Sequence, residues 1–241
     1  MRSFTTNRTN PIVKPNMVRL LLSCAVLVVL VCAGCGGERE AGEKNSTTAT
    51  VSDTEPGPLG YRPWLSPGTY VTTKFQPALT FRVDTEGWFA DEPNERWAFM
   101  EDLKAEKAID LLRPNAVLVP SNQKKQTAVP VDLLGWLARH PNLEPLGRSR
   151  VTIGGVTGEA LDVSVASTPR RSQCDEPCVA LVRAAEGFYT PYHLETGNRA
   201  RFVLLEVGGE RVLIAIKAKG DGFSAWLEEA KQILATVSWI R

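Results

Sequence analysis

The sequence predicts an α+β domain: a mainly antiparallel sheet with a C-terminal amphipathic helix and a shorter helix packed on it. Three observations carry that expectation. Two stretches, Val151–Val165 and Val203–Ile216, alternate apolar and polar residues on either side of a Gly-Gly pair. A diglycine between alternating runs marks a hairpin, because the primed turns need positive φ at their centre. The last stretch instead repeats apolar residues at three- and four-residue steps, through Phe223, Trp226, Leu227, Ala230, Ile233, Leu234 and Val237. That is the stripe of a helix lying on an apolar surface, which antiparallel strands supply.

The first patterned segment opens at Met17. Arg19 precedes an apolar run from Leu20 to Val31, which ends on Cys32-Ala33-Gly34-Cys35. A positive residue ahead of about a dozen apolar ones has the build of an export signal. Leu20 to Cys35 falls short of the ~20 residues of a spanning helix. Small residues directly before a cysteine resemble the lipobox of bacterial lipoproteins. Ala33, Gly34 and Cys35 match that pattern, while Cys32 stands where leucine is usual. The resemblance implies that residues 1–34 are a removed signal and that Cys35 carries diacylglycerol. The protein would then sit on the cell membrane facing outside the cytoplasm, and two acyl chains hold stably where one is marginal. A plain cleaved signal and an uncleaved helix are the alternatives. Residues 1–16 are polar with Pro11 and Pro15, add nothing to a signal, and leave Met17 as an alternative start.

Residues 35–67 read as the anchor and a flexible tether. From Gly36 the chain is rich in Gly, Glu, Ser, Thr and Pro and lacks periodic apolar residues. It cannot bury enough surface to offset its ordering entropy. Residues 68–241 form the globular domain. Tyr70 to Phe75 and Leu79 to Val83 read as strands, broken by Gln76-Pro77, with further strands at Trp97 to Leu103 and Ala116 to Val119. Val131 to His140 reads as the short helix, with Pro130 at its start, Pro141 as its stop and Leu133, Leu134 and Leu137 as its apolar face. Asp221 is the expected N-cap of the terminal helix.

The order of these elements, with Trp136-Leu137-Ala138-Arg139-His140-Pro141, Gly154-Gly155, Gly158, the Val203–Ile216 hairpin and the closing helix, resembles uncharacterised bacterial lipoprotein domains of PsbP-like layout. The resemblance spans roughly Gly68 to Ile240. It implies an α/β/α sandwich and an accessory or binding role, and it transfers no catalytic residue.

Charge narrows the partners. The chain holds 28 basic and 27 acidic residues, and four of the basic ones (Arg2, Arg8, Lys14, Arg19) precede Cys35. The remainder is weakly acidic, which argues against nucleic acid, since phosphate binding needs a basic stripe. Of the five cysteines, Cys24 and Cys32 lie in the signal and Cys35 takes the lipid. Cys174 and Cys178 remain as an even pair in an exported domain and are expected to form a disulfide. A redox dithiol or a metal site at this pair are the other readings. The redox reading does not suit three intervening residues without a βαβ context, and zinc asks for four ligands where only His140 and His193 could help.

His140 is expected as a surface or capping residue at a helix end. His193 lies in an aromatic loop with Tyr189 and Tyr192, so these three are the candidate ligand-binding residues. His193 would also be the general base of an enzyme, if there is one. No G-x-S-x-G, P-loop or H-E-x-x-H motif occurs, and Gly154-Gly155-Val156-Thr157-Gly158 lies between strands rather than before a helix. Asp91-Glu92, Glu101-Asp102 and Glu228-Glu229 read as solvated charges. Trp64, Trp88, Trp97, Tyr61 and Tyr70 read as core, or as an aromatic patch for a glycan or protein. The expectation is a membrane-anchored binding or accessory lipoprotein without catalytic residues, metal or cofactor. Its partner would be an envelope protein, polymer or small ligand. A small extracytoplasmic enzyme and a thiol–disulfide protein using Cys174 and Cys178 are the alternatives.

Overall fold

The computed structural model describes residues 55–59, 64–169, 174, 177–184 and 191–240. Cys35, Tyr61 and Tyr189 lie outside them. In chain order the strands are β1 (Gly57–Pro58), β2 (Gly68–Val71), β3 (Leu79–Val83), β4 (Phe89–Asn94), β5 (Trp97–Asp102), β6 (Lys107–Leu112), β7 (Ala116–Val119) and β8 (Asn122–Thr127). Helix α1 (Leu133–Ala138) follows, then β9 (Leu143–Ile153), β10 (Val156–Val165), β11 (Cys178–Arg183), β12 (Tyr192–Glu195), β13 (Asn198–Val207) and β14 (Glu210–Lys219). Helix α2 (Phe223–Ala235) and β15 (Ser238–Trp239) close the fold.

The α+β expectation is corrected by this arrangement. Strands take 55% of the described residues and helices only 13%, in three sheets rather than one. The central sheet is antiparallel, in the order β4-β5-β6-β14-β13-β10-β9. A small sheet β1-β2-β3-β15 and α2 share a core with one of its faces. A second small sheet, β12-β11-β7-β8, and α1 share a separate core with the other. Strand β1 pairs with β2 and Leu59 is buried, so the fold takes in chain ahead of Gly68.

Two of the strands that tip the balance, β6 and β8, carry no alternating pattern. Lys107-Ala-Ile-Asp-Leu-Leu112 is buried almost throughout, because β6 lies mid-sheet with a core on each side. A strand covered on both faces loses the period of two. Strand β8 fails for the opposite reason, since it is an edge strand whose only buried residue is Gln123. Its Lys124 and Lys125 are exposed and lie at the irregularity between the paired Asn122 and Gln126.

Both diglycine hairpins form. Gly154 and Gly155 take φ of 58° and 76°, and Gly208 and Gly209 take 60° and 85°. Helix α2 buries Phe223, Trp226, Leu227, Ala230, Ile233 and Leu234 as the stripe predicts. Each large apolar side chain so covered contributes roughly 1.5–3 kcal/mol relative to exposure. Gly220–Gly222 is a 3-10 turn leading into α2, which has no side-chain cap, so the expected capping by Asp221 is absent. Helix α1 is shorter than predicted. Asp132 caps it by accepting the Gly135 N–H at 2.7 Å, and Pro130 stays outside.

Glu92 also departs from expectation. It is fully buried on the α2 side of β4 rather than solvated. Its carboxylate accepts the backbone N–H groups of Thr73 at 2.9 Å, Lys74 at 2.8 Å and Phe75 at 2.8 Å, and the Thr73 hydroxyl at 3.2 Å. A loop with no ladder partners thus has its donors met by one side chain.

Candidate functional site

Register places an unusual set of side chains on the other face of the central sheet. Residues directly opposite across a ladder point to the same side. Asp91 faces Phe99, which faces Asp110, which faces Ala215. One step along, Phe89 faces Glu101, Glu101 faces Ala108, and Ala108 faces Lys217. Carboxylates and aromatic rings alternate here, and the small Ala108 and Ala215 keep the floor low. Strand β12 brings Tyr192 and His193 to the same end.

Asp110 is the centre of the cluster and is only 4% exposed. Its Oδ1 accepts the Trp97 indole N–H at 3.1 Å, but its Oδ2 is buried without a hydrogen-bond partner among the described residues. Burial pushes the Asp110 carboxyl above its usual range, while the Lys217 charge and the Trp97 hydrogen bond pull it back. Glu101 is raised in the same way, by burial first, with Lys217 opposing and Asp110 adding. The Tyr192 hydroxyl is buried, also without a partner, and is pushed well up by burial and by the nearby Asp110 charge. Lys217 Nζ lies 5.5 Å from the centre of the Tyr192 ring.

His193 is half-buried, with Nδ1 3.1 Å from the Pro191 carbonyl. That contact puts the proton on Nδ1 and leaves Nε2 as an acceptor. Burial lowers the His193 pKa, against the Pro191 bond, which favours the neutral ring. Glu101 and Lys217 also border a cleft of about 180 Å³, walled further by Glu106, Glu195, Asn198 and Lys219. The arrangement can accept and donate hydrogen bonds to a ligand and offer it net negative charge.

Tyr192 and His193 sit together in this cluster, while Tyr189 lies outside the described residues. Cys174 and Cys178 are joined in a disulfide with their Cα atoms 6.0 Å apart, at the start of β11. His140 is buried at 3% exposure, not at the surface. Its Nδ1 accepts the Asn142 N–H at 3.3 Å, its ring meets Trp136 edge-on, and burial lowers its pKa to about 4. The early aromatics divide: Trp88 and Tyr70 are core, Trp97 is half-buried, and Trp64 is 55% exposed. Sequence reading missed Asp110, Glu101 and Lys217. The signal available for Asp110 was a carboxylate inside the run Ala108-Ile109-Asp110-Leu111-Leu112, where apolar neighbours on both sides foretell burial.

No family model matches the chain, and no curated protein matches it. Among solved structures it is similar to cyanobacterial PsbP (CyanoP) from Synechocystis sp. PCC 6803. The TM-score is 0.41 at 8% identity, over 73% of this chain and 95% of that one. The likeness is one of layout at that level, and no site residue is carried over from it. Among the described residues no helix is long and apolar enough to cross a membrane, and no three His, Cys, Asp or Glu side chains gather as metal ligands.

Proposed function

We propose that this chain is an exported, lipid-anchored binding or accessory protein, tethered through Cys35, that takes an envelope ligand at the Asp110–Tyr192–His193 end of its central sheet. The address is supported by the run Leu20 to Val31 ending on Ala33-Gly34-Cys35. The binding role is carried by one observation: Asp110 Oδ2 and the Tyr192 hydroxyl are both buried and both lack a hydrogen-bond partner among the described residues. Leaving such groups unmet costs about 1–3 kcal/mol each. Apolar residues of like size avoid that cost, and here a carboxylate and a phenol carry it side by side, which supports a ligand that meets both. The carboxylate offers an acceptor, the phenol a donor and the neutral His193 a second acceptor.

The anchor is tested by feeding radiolabelled palmitate to cells making the full chain or its Cys35→Ser variant. Label on the first and none on the second is expected, with a mature mass that begins at Cys35 plus diacylglycerol. A mature mass retaining residues before Cys35 removes the anchor. The site is tested by linkage, since a ligand of the native state raises its melting temperature. Dialysable and polymeric envelope fractions are added separately to the full chain and to its Asp110→Asn and Tyr192→Phe variants. One fraction should stabilise the native chain and not the variants. An equal rise in all three proteins, or no rise from either fraction, ends the binding reading.

A further inference from the structure

The aromatic rings beside Asp110 belong to neither core. Phe89 and Phe99 are half-buried and Trp64 is largely exposed, yet they form one strip, with Trp64 6.0 Å from Phe89 and Phe89 6.1 Å from Phe99. Three apolar rings left at a surface are costly unless something covers them. The side chains facing them across the ladders are not apolar. Asp91 stands opposite Phe99 on one side and Asp110 on the other, while Glu101 stands opposite Phe89. Among the described residues Lys217 is the cation that both Asp110 and Glu101 feel, and His193 adds a smaller pull on Asp110 alone, against three carboxylates. Asp91 is held by the Glu92 N–H at 2.7 Å, a neutral partner that leaves its charge in place.

From this alternation of π faces and uncompensated carboxylates we infer that the strip formed by Trp64, Phe89 and Phe99 with Asp91, Glu101 and Asp110 binds a small organic ammonium ion, alkylated on nitrogen. The inference rests on the binding reading above and names the ligand class for that face. The face of an aromatic ring is negative, so it attracts a cation. Phenylalanine rings add no hydrogen-bond acceptor. They therefore suit a weakly hydrated, alkylated head better than a primary ammonium, which must keep its water. The carboxylates supply long-range attraction and sit on the next strand rather than under the rings. An anion is disfavoured by the same charges, and a purely apolar ligand leaves them without a role.

The test uses the full chain in a polyoxyethylene detergent, which carries neither ammonium nor sugar. Binding is followed by NMR titration with choline, with its uncharged tert-butyl analogue, with ethanolamine and with N-acetylglucosamine. Choline is expected to bind at least about five times more tightly than the other three, in line with cation–π discrimination. Intermolecular contacts should run from its N-methyl protons to the Phe89 and Phe99 rings. Phe99→Leu keeps apolar bulk and Glu101→Gln keeps shape, so either should weaken choline several-fold while the circular dichroism spectrum stays native. Equal affinity for choline and its neutral analogue, tighter binding of ethanolamine or of the sugar, or choline affinity untouched by both variants overturns the inference. Choline failing while an envelope fraction still stabilises the native chain removes the ammonium ligand and leaves the binding reading. Failure of both removes both.

Discussion

Glu92 and Asp110 are buried carboxylates on opposite faces of one sheet, and their surroundings differ. Glu92 has three backbone N–H groups and a hydroxyl turned toward it. Asp110 has one indole donor and one oxygen with no partner among the described residues. The first carboxylate is solvated by the protein as fully as water would solvate it, and in return it organises the loop Thr73–Phe75. The second is desolvated without compensation. Burial alone therefore does not say whether a charge is structural; the count of donors aimed at it does. A charge whose partners are all supplied belongs to the fold, and one whose partners are withheld is a place to look for a ligand.

The strongest way to break this contrast is to remove Glu92. Glu92→Ala leaves the Phe75 N–H buried without an acceptor and frees the loop between β2 and β3. A loss of about 3 kcal/mol is expected, in the range for breaking a buried charged network. Urea denaturation measures it. A loss under about 1 kcal/mol would mean that water takes over the donors and that Glu92 is no more structural than Asp110.

The burial of Glu92 has no local signal in the sequence, and that of Asp110 has only its apolar neighbours. Glu92 follows Asp91 in a segment containing Pro93 and Asn94, and a charge pair in such company reads as solvated. What buries it is the loop 17 to 19 positions upstream, a contact no local window contains. Asp110 sat in an apolar run that was itself missed as a strand, since β6 has a core on each side and shows no alternation. The features read correctly were those coded within a few residues: the Gly154-Gly155 and Gly208-Gly209 turns, the stripe of α2, and the Cys174–Cys178 bond. The division into three sheets was not readable because it depends on which strands pair over long separations. Of the site, Tyr192 and His193 were visible as an aromatic loop with a histidine, but their carboxylate neighbours come from β5 and β6.

His140 sharpens the contrast by reversing its sign. Its folded pKa is lowered to about 4 by burial, below the ordinary value of 6.5. Its contribution to stability is therefore complete above pH 6.5 and is lost as pH falls from there through 4. With allowance for residual solvent around the ring, the loss should reach about 2 kcal/mol. His140→Phe should flatten this part of the stability–pH curve, leaving the smaller slope of His193, which is lowered too. An unchanged slope would show that the ring is reached by water. The disulfide should matter about as much or less. Cys174→Ser with Cys178→Ser is expected to cost at most ~2 kcal/mol, because the loop it closes is short. A larger loss on calorimetry would mean that β11 depends on the bond for its place in its sheet.

The smallest expected effect is the most diagnostic. Asp110 is raised above the carboxylate range, mainly by burial. A group with that shift is carried without penalty at acid pH, where it is protonated in both states. As pH rises past about 4 the unfolded chain ionises first, and the folded state is destabilised until its own pKa is passed. Asp110→Asn removes the ionisation and keeps an oxygen for the Trp97 N–H. The variant should be about 1 kcal/mol more stable than the native chain at pH 8, with the gain vanishing near pH 4. Glu101, raised in the same direction, leaves some slope in the variant. Glu92→Gln is the matching experiment on the other face and should lower stability at pH 8 instead. Opposite signs for two carboxylate-to-amide changes on one sheet separate a charge the fold needs from one it merely tolerates. If Asp110→Asn is destabilising at pH 8, the carboxylate is held by the fold, and its second oxygen is no place for a ligand.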